Sequence, residues 1–167
     1  SEMEMQITKR LRLVPGFRID YTGATQKFDT SPRISFRYDL VPGPERTTLK
    51  GGVGIFHQPP QPYESFEPFG TKGLKSNRAL HASIGVEQEL TRNVEVSFEL
   101  FAKSLSNLVA QRFDNSSANG VHYYNLGIGR IYGAETLLRW RPDGRFFGWL
   151  AYTLSRSERR DFPDQDW

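Results

Sequence analysis

The stretch GRIYGAETLLRW, residues 129–140, sorts into two series when every second residue is taken. Ile131, Gly133, Glu135, Leu137 and Arg139 form one, and Tyr132, Ala134, Thr136, Leu138 and Trp140 form the other. A β-strand sends alternate side chains to opposite faces. One face of this strand is therefore charge-free and aromatic at its end, while the other carries a carboxylate and a guanidinium. The question for the whole chain is what surroundings each face requires.

The same period of two recurs along nearly all 167 residues, and helical periodicity is hard to find. In SPRISFRYDL, residues 31–40, Ile34, Phe36, Tyr38 and Leu40 alternate with Arg33, Ser35, Arg37 and Asp39. In VEVSFELF, residues 94–101, Val94, Val96, Phe98 and Leu100 alternate with Glu95, Ser97, Glu99 and Phe101. LRLVPGFRIDY, residues 11–21, behaves alike, with Pro15 and Gly16 predicting a bulge or bend. The pattern predicts an all-β chain, an antiparallel up-and-down meander of eight strands at 2–8, 11–22, 32–41, 46–57, 79–90, 94–112, 121–140 and 146–157.

The predicted connections alternate in length. Short turns fall at Thr8-Lys9-Arg10, Pro42-Gly43-Pro44-Glu45, Thr91-Arg92-Asn93 and Arg141-Pro142-Asp143-Gly144. Longer ones are GATQKFDTS at 23–31, QPPQPYESFEPFGTKGLKSN at 58–77 and DNSSANG at 114–120. Outer-membrane barrels have this asymmetry, with short periplasmic turns and long extracellular loops. Strand length agrees, since a tilted strand needs about 9–11 residues to cross a bilayer. Between Tyr132 and Trp140 the membrane depth is roughly 19 Å, within an apolar band about 25 Å tall. Tyr38, Tyr132, Trp140 and Phe146 are then expected in lipid-facing aromatic girdles, and Arg37, Glu95, Glu99, Glu135 and Arg139 toward a polar lumen or a plug within it.

Bulk composition narrows the classes further. A net charge of +3, from 22 Lys+Arg against 19 Asp+Glu, is too small to argue for nucleic acid. Cysteine is absent, which removes disulfides and thiolate metal sites. Mean hydropathy is −0.56 and no apolar run reaches 18 residues, so a membrane helix is not expected, whereas alternating strands average to a polar score in any case. The first residues, SEMEMQITKR, lack the apolar stretch of a signal peptide. Eight strands are enough for a small closed barrel, but a narrow lumen would have to hold Arg12, Arg18, Arg33, Arg37, Lys50, Glu87, Glu95, Glu99, Lys103, Glu135 and Arg139. Both ends of the chain would also fall on the extracellular side. A segment of a wider barrel is the expectation, with the remaining strands and any plug domain outside these residues.

The order of these segments resembles the barrel of TonB-dependent outer-membrane receptors. The resemblance rests on Gly129, Gly133 and Glu135 in a Gly-x-x-x-Gly-x-Glu strand, then Gly148 and Tyr152 in a Gly-x-x-x-Tyr strand followed by Ser155 or Ser157. Gly54, Phe56, Gln58, Pro59 and Pro60 add a G-x-F-x-Q-P-P strand ending. The resemblance covers nearly the whole chain. It implies a bacterial outer-membrane transporter that takes up a scarce ligand such as a siderophore, cobalamin, a metal chelate or a glycan. Its partners would be the receptor's own plug, the inner-membrane TonB complex and the outer-membrane lipid. The plug, the TonB box and the C-terminal aromatic strand of the family are not among these residues. The alternatives are a self-contained outer-membrane barrel serving as adhesin or structural protein, and a soluble ligand-binding β-barrel.

No nucleophile elbow or phosphate loop occurs, and an enzyme is not expected. His57 and His122 fall at loop ends of their strands, yet no acidic residue is spaced with them as a ligand set, so neither a metal site nor a cofactor is assigned. The proline-stiffened segment at 57–77 is the best ligand contact. His57, Gln58, Tyr63, Phe66 and Phe69, with Arg112, Phe113, His122 and Tyr123 from the next long hairpin, are the candidate binding residues. The competing expectation is that these aromatics pack on neighbouring loops.

Overall fold

The computed structural model describes residues 3–23, 25–65, 70–113, 121–141, 147–162 and 166–167, without the side chains of Phe113 and Val121. Eight strands form one antiparallel sheet in sequence order: β1 (Met5–Gln6), β2 (Leu11–Thr22), β3 (Lys27–Val41), β4 (Thr47–Gln58), β5 (Asn77–Thr91), β6 (Val94–Phe113), β7 (Val121–Trp140) and β8 (Gly148–Arg160). A single helical turn, α1 (Pro62–Ser65), interrupts the β4–β5 connection, where no helix was expected.

The register explains why alternation so dominates the sequence. One row across the sheet runs Leu13, Phe36, Gly51, Ile84, Leu100, Ala134, Leu154. The next row on the opposite face runs Arg12, Arg37, Lys50, Gly85, Glu99, Glu135, Thr153. Every strand thus contributes its apolar series to one face and its polar series to the other. Tyr38 and Trp140 belong to the apolar face with Tyr132, while Phe146 lies outside the described residues.

The described residues place no protein layer over the apolar face. Among the described residues only Leu74 and Ala110 are buried hydrophobics, and Leu150, Tyr152 and Leu154 remain 68%, 65% and 65% exposed. A water-soluble domain buries such a face against a second layer. Exposed apolar surface of this extent marks a missing apolar environment.

The turns record a tilt. Leu11 at the start of β2 is level with Leu49 of β4, through Tyr38, but β4 begins two residues lower at Thr47. Thr47 is level with Val96 of β6, through Gln88, but β6 begins two residues lower again at Val94. The turn line therefore shifts about one residue per strand. At about 3.3 Å per residue and about 4.8 Å between strands, this is a slope of roughly 35°, close to the strand tilt of closed barrels.

Three boundaries differ from expectation. The stretch at 23–31 is not a long loop: β3 starts at Lys27, Thr22 pairs with Lys27, and Tyr21 stacks beside Phe28 with ring centroids 5.0 Å apart. The polar Asp29, Thr30 and Ser31 resembled a loop but continue the ladder, paired with Asp20, Ile19 and Arg18. No bulge occurs at Pro15 either, which pairs in register with Ile34. Pro15 turns its backbone toward β1, its carbonyl accepting from the Met3 N–H, so its missing N–H costs no β2–β3 bond. β1 itself is only two residues long, and β8 runs on to Arg160.

Candidate functional site

The short turns are closed by side chains suited to them. Thr8 Oγ1 accepts from the backbone N–H groups of Arg10 and Leu11, at 3.2 and 2.9 Å. Thr91 Oγ1 accepts from those of Asn93 and Val94, at 3.3 and 3.1 Å. These local bonds fix where each strand begins, and with it the residues that meet across the sheet.

On the polar face the register assembles a charge network near this end. Arg37 donates to both carboxylate oxygens of Glu87, at 3.4 Å through Nη1 and more closely through Nη2. Lys50 Nζ lies 3.1 Å from Glu87 and 3.1 Å from Glu99. Lys50 and Glu99 sit on β4 and β6, with β5 between them. The residue between them is Gly85, whose missing side chain leaves the lane open. A Cβ there would come 2.6 Å from the Phe98 carbonyl oxygen and 3.0 Å from Glu99 Cβ. Further along, Glu95 takes Arg139 at 3.1 Å and Arg141 at 3.3 Å, and Arg46 meets Glu89 at 2.8 Å.

Glu135 stands apart. It lies directly opposite Glu99, a like-charge pairing that is unfavourable by itself. Among the described residues it is exposed and has no hydrogen bond or ion pair. Gly133, two residues before it, has the Phe101 ring over it: an added Cβ would be 2.9 Å from that ring. Lys103 in turn places its ammonium 5.9 Å from the Phe101 centroid. Glycine at 133 thus leaves room for the Phe101 ring.

At the long-loop end the sheet is irregular and the loops are fastened. The β6–β7 ladder skips one residue in β6 between Leu105 and Leu108, then one in β7 between Gly127 and Tyr124. Asn107 in the first of these bulges has φ 56°, a left-handed conformation that Asn tolerates. Its carbonyl accepts from Asn125 Nδ2 at 2.8 Å. Asn125 also receives the Lys75 N–H at 2.7 Å and donates to the Lys75 carbonyl at 2.9 Å. Thr71 Oγ1 accepts from the Tyr123 N–H at 3.0 Å, and Asn77 Oδ1 from the Val109 N–H at 3.0 Å. The 59–76 connection is therefore pinned across to β7, and its own Leu74 and Ser76 are buried.

The expected ligand residues are brought together only in part. Tyr63, 62% exposed, meets Tyr123 edge-on at 6.4 Å. Arg112 pairs with His122 across β6–β7 and lies 5.6 Å from the Phe162 ring. His122 packs near Tyr124, while His57 Nδ1 lies 3.3 Å from Ser31 Oγ on the β3–β4 side. Gln58 is exposed at the end of β4. Phe66, Phe69 and the Phe113 side chain lie outside the described residues. Asn125, Thr71 and Asn77 were not singled out from the sequence. An asparagine inside a strand run is a weak signal that it bonds something other than the ladder.

Comparison with known proteins now bears on this geometry. The family model described as "TonB dependent receptor-like, beta-barrel" matches residues 1–166. Among solved structures, the chain is similar to the siderophore receptor PirA from Pseudomonas aeruginosa, with TM-score 0.70 and 18% identity over 92% of this chain. It is also similar to the copper transporter OprC, with TM-score 0.61 and 17% identity over 93%. A third is the FrpB iron transporter from Neisseria meningitidis (F5-1 variant, apoprotein form), with TM-score 0.69 and 15% identity over 97%. The chain spans only 30%, 28% and 26% of the length of these three structures. No curated protein matches.

Proposed function

The chain belongs to the TonB-dependent receptor β-barrel family, and from that premise we propose that it forms part of the wall of an active transporter in the bacterial outer membrane. The observation that carries this reading is the pair of unlike faces. One face is apolar over most of its height with no protein layer over it among the described residues, and the other holds a network of ion pairs. A barrel wall between lipid and a polar lumen needs both. Tyr38, Tyr132 and Trp140 then face lipid, as Phe146 is proposed to do, and Arg37, Glu95, Glu99, Glu135 and Arg139 face the lumen. The eight strands are a segment of a larger barrel: among the described residues β1 and β8 are not paired with each other.

The ligand is a scarce solute such as a ferric siderophore, a metal chelate, cobalamin or a glycan, moved with energy from the TonB complex through a plug domain. Siderophore, copper and iron transport are named for the similar structures, which supports a metal or metal-chelate cargo most directly. Glu135, with Glu99 opposite and no cation of its own, suits a basic side chain of the plug. Exposed Tyr63 with Tyr123, joined by His57, Gln58, Phe66, Phe69, Arg112, Phe113 and His122, supplies the contact surface at the mouth.

The test is uptake of radiolabelled iron or copper chelates by cells carrying the full-length receptor, with and without a functional TonB complex. Accumulation that disappears without TonB supports the reading, and accumulation indifferent to TonB contradicts it. In the same assay Tyr63→Ala should weaken ligand binding about tenfold if the ring touches ligand. Unchanged binding with faster proteolysis of the loop would assign Tyr63 to packing.

A further inference from the structure

The apolar face ends abruptly at the long-loop side of β7 and β8. On β7 it runs Trp140, Leu138, Thr136, Ala134, Tyr132, and the next residue of the same series is Arg130. On β8 it runs Leu150, Tyr152, Leu154, and then Arg156, Glu158 and Arg160 follow. The register sets Arg156 beside Tyr132, Glu158 beside Arg130 and Arg160 beside Ile128. Among the described residues Arg130 and Arg156 share the Glu158 carboxylate, with Arg160 next in the same series, on the side of the sheet that faces away from the charge network.

The carboxylate is spent inside the cluster. Arg130 Nε pairs with one oxygen of Glu158, and Arg156 Nη2 lies 2.6 Å from the other. The Glu158 side chain is only 9% exposed, against 47% for Arg130 and 68% for Arg156. Glu158 is thus tucked between two arginines that themselves stay accessible. Trp167 braces them from the side, its ring 4.3 Å from the Arg130 guanidinium and 5.3 Å from that of Arg160. Stacking of this kind fixes the planar fork without using its donors. On β5 the same series ends at Arg78. Two arginine forks that share a single carboxylate, with a third guanidinium beside them, suit bidentate contact with phosphate.

We propose that Arg130, Arg156 and Arg160, held by Glu158 and Trp167, form a site on the outer wall for the phosphate groups of the outer-leaflet glycolipid. The inference rests on the outer-membrane reading above, because that reading puts lipid directly below Tyr132 and headgroups at the height of the arginines. An aqueous anion would have no reason to favour this side of the sheet, whereas a headgroup is carried there by its own acyl chains.

The test uses the full-length receptor purified from outer membranes in detergent and titrated with bisphosphorylated lipid A, followed by native mass spectrometry. Wild type should bind it at least about tenfold more tightly than dephosphorylated lipid A, and Arg130→Gln/Arg156→Gln/Arg160→Gln should lose about that factor. Arg156→Gln alone, at an exposed position that leaves the Arg130–Glu158 pair in place, should lose a smaller but measurable part if the triple variant does not fold. Equal affinity for the two lipid A forms, or no loss in either variant, overturns the proposal. Occupancy by inorganic phosphate at the affinity shown for lipid A also overturns it, in favour of a free-anion site. Recovery of the wild-type receptor outside the outer-membrane fraction would instead overturn the barrel reading beneath it.

Discussion

The two faces of one sheet answer to opposite solvents. Along β6 and β7 the apolar face offers Phe98, Leu100, Ala102, Tyr132 and Leu138 with no charged residue between them, while the reverse of the same strands carries Glu95, Glu99, Lys103, Glu135 and Arg139. Neither face has a protein core behind it among the described residues. The stability of such a wall comes from the ladder, the lipid and the lumen contents together. A substitution should therefore be judged by the face it lands on, more than by its size or its depth in the chain.

The sharpest way to break that contrast is to place one charge on each face at matched height. Leu100→Arg sits mid-strand on the apolar face and should cost about 2–4 kcal/mol, read as lowered denaturant resistance of the barrel refolded in liposomes. Thr153→Lys, which places a cation beside Glu135 on the other face, should stay within about 0.5 kcal/mol of wild type. Equal costs would mean that the faces do not differ in solvent.

A smaller effect is expected inside the charge network. Lys50→Met takes from Glu99 its cation while Glu135 still lies opposite it, and Glu87 keeps Arg37. Side chains 20–31% exposed in a shared network place the loss at about 1–2 kcal/mol. Glu99→Gln in the same background should recover part of it, which a double-mutant cycle measures.

The network was visible in the sequence only as a supply of charges. Its wiring depends on cross-strand register, which the turns set, and on Gly85 leaving Lys50 a path across an intervening strand. The fold was more legible, because strict alternation survives wherever both faces are committed to a solvent. It misled at Asp29-Thr30-Ser31, where polar residues continue a hairpin past the apolar series, and at Pro15, where the neighbouring strand is too short to miss an N–H. The mouth was least legible. Tyr63 and Tyr123 were legible as aromatics in loops, but Asn125 reaching both Lys75 and Asn107 is a long-range contact with no local pattern.

The smallest effects belong to the ends of the strands. Asn125→Ala removes the two hydrogen bonds that pin Lys75 of the 59–76 connection and a third to the Asn107 carbonyl, and should speed amide exchange at Lys75 about tenfold, with global stability nearly unchanged. Thr91→Ala removes two bonds from an exposed turn and should cost about 0.5–1 kcal/mol in the same denaturation assay. A large global loss from either would move stability from the faces to the loops.

Cysteine is absent from these residues, so the central claim can be tested in the membrane on the full-length receptor with any cysteine elsewhere replaced by serine. Single cysteines placed in turn from 131 to 140 would carry a spin label, and its collisions with oxygen and with a water-soluble nickel chelate would be compared. The account predicts a period of two, with oxygen contact highest at 132, 134, 136, 138 and 140 and low at the residues between. Uniform accessibility, or oxygen contact highest at 133, 135, 137 and 139, would contradict it.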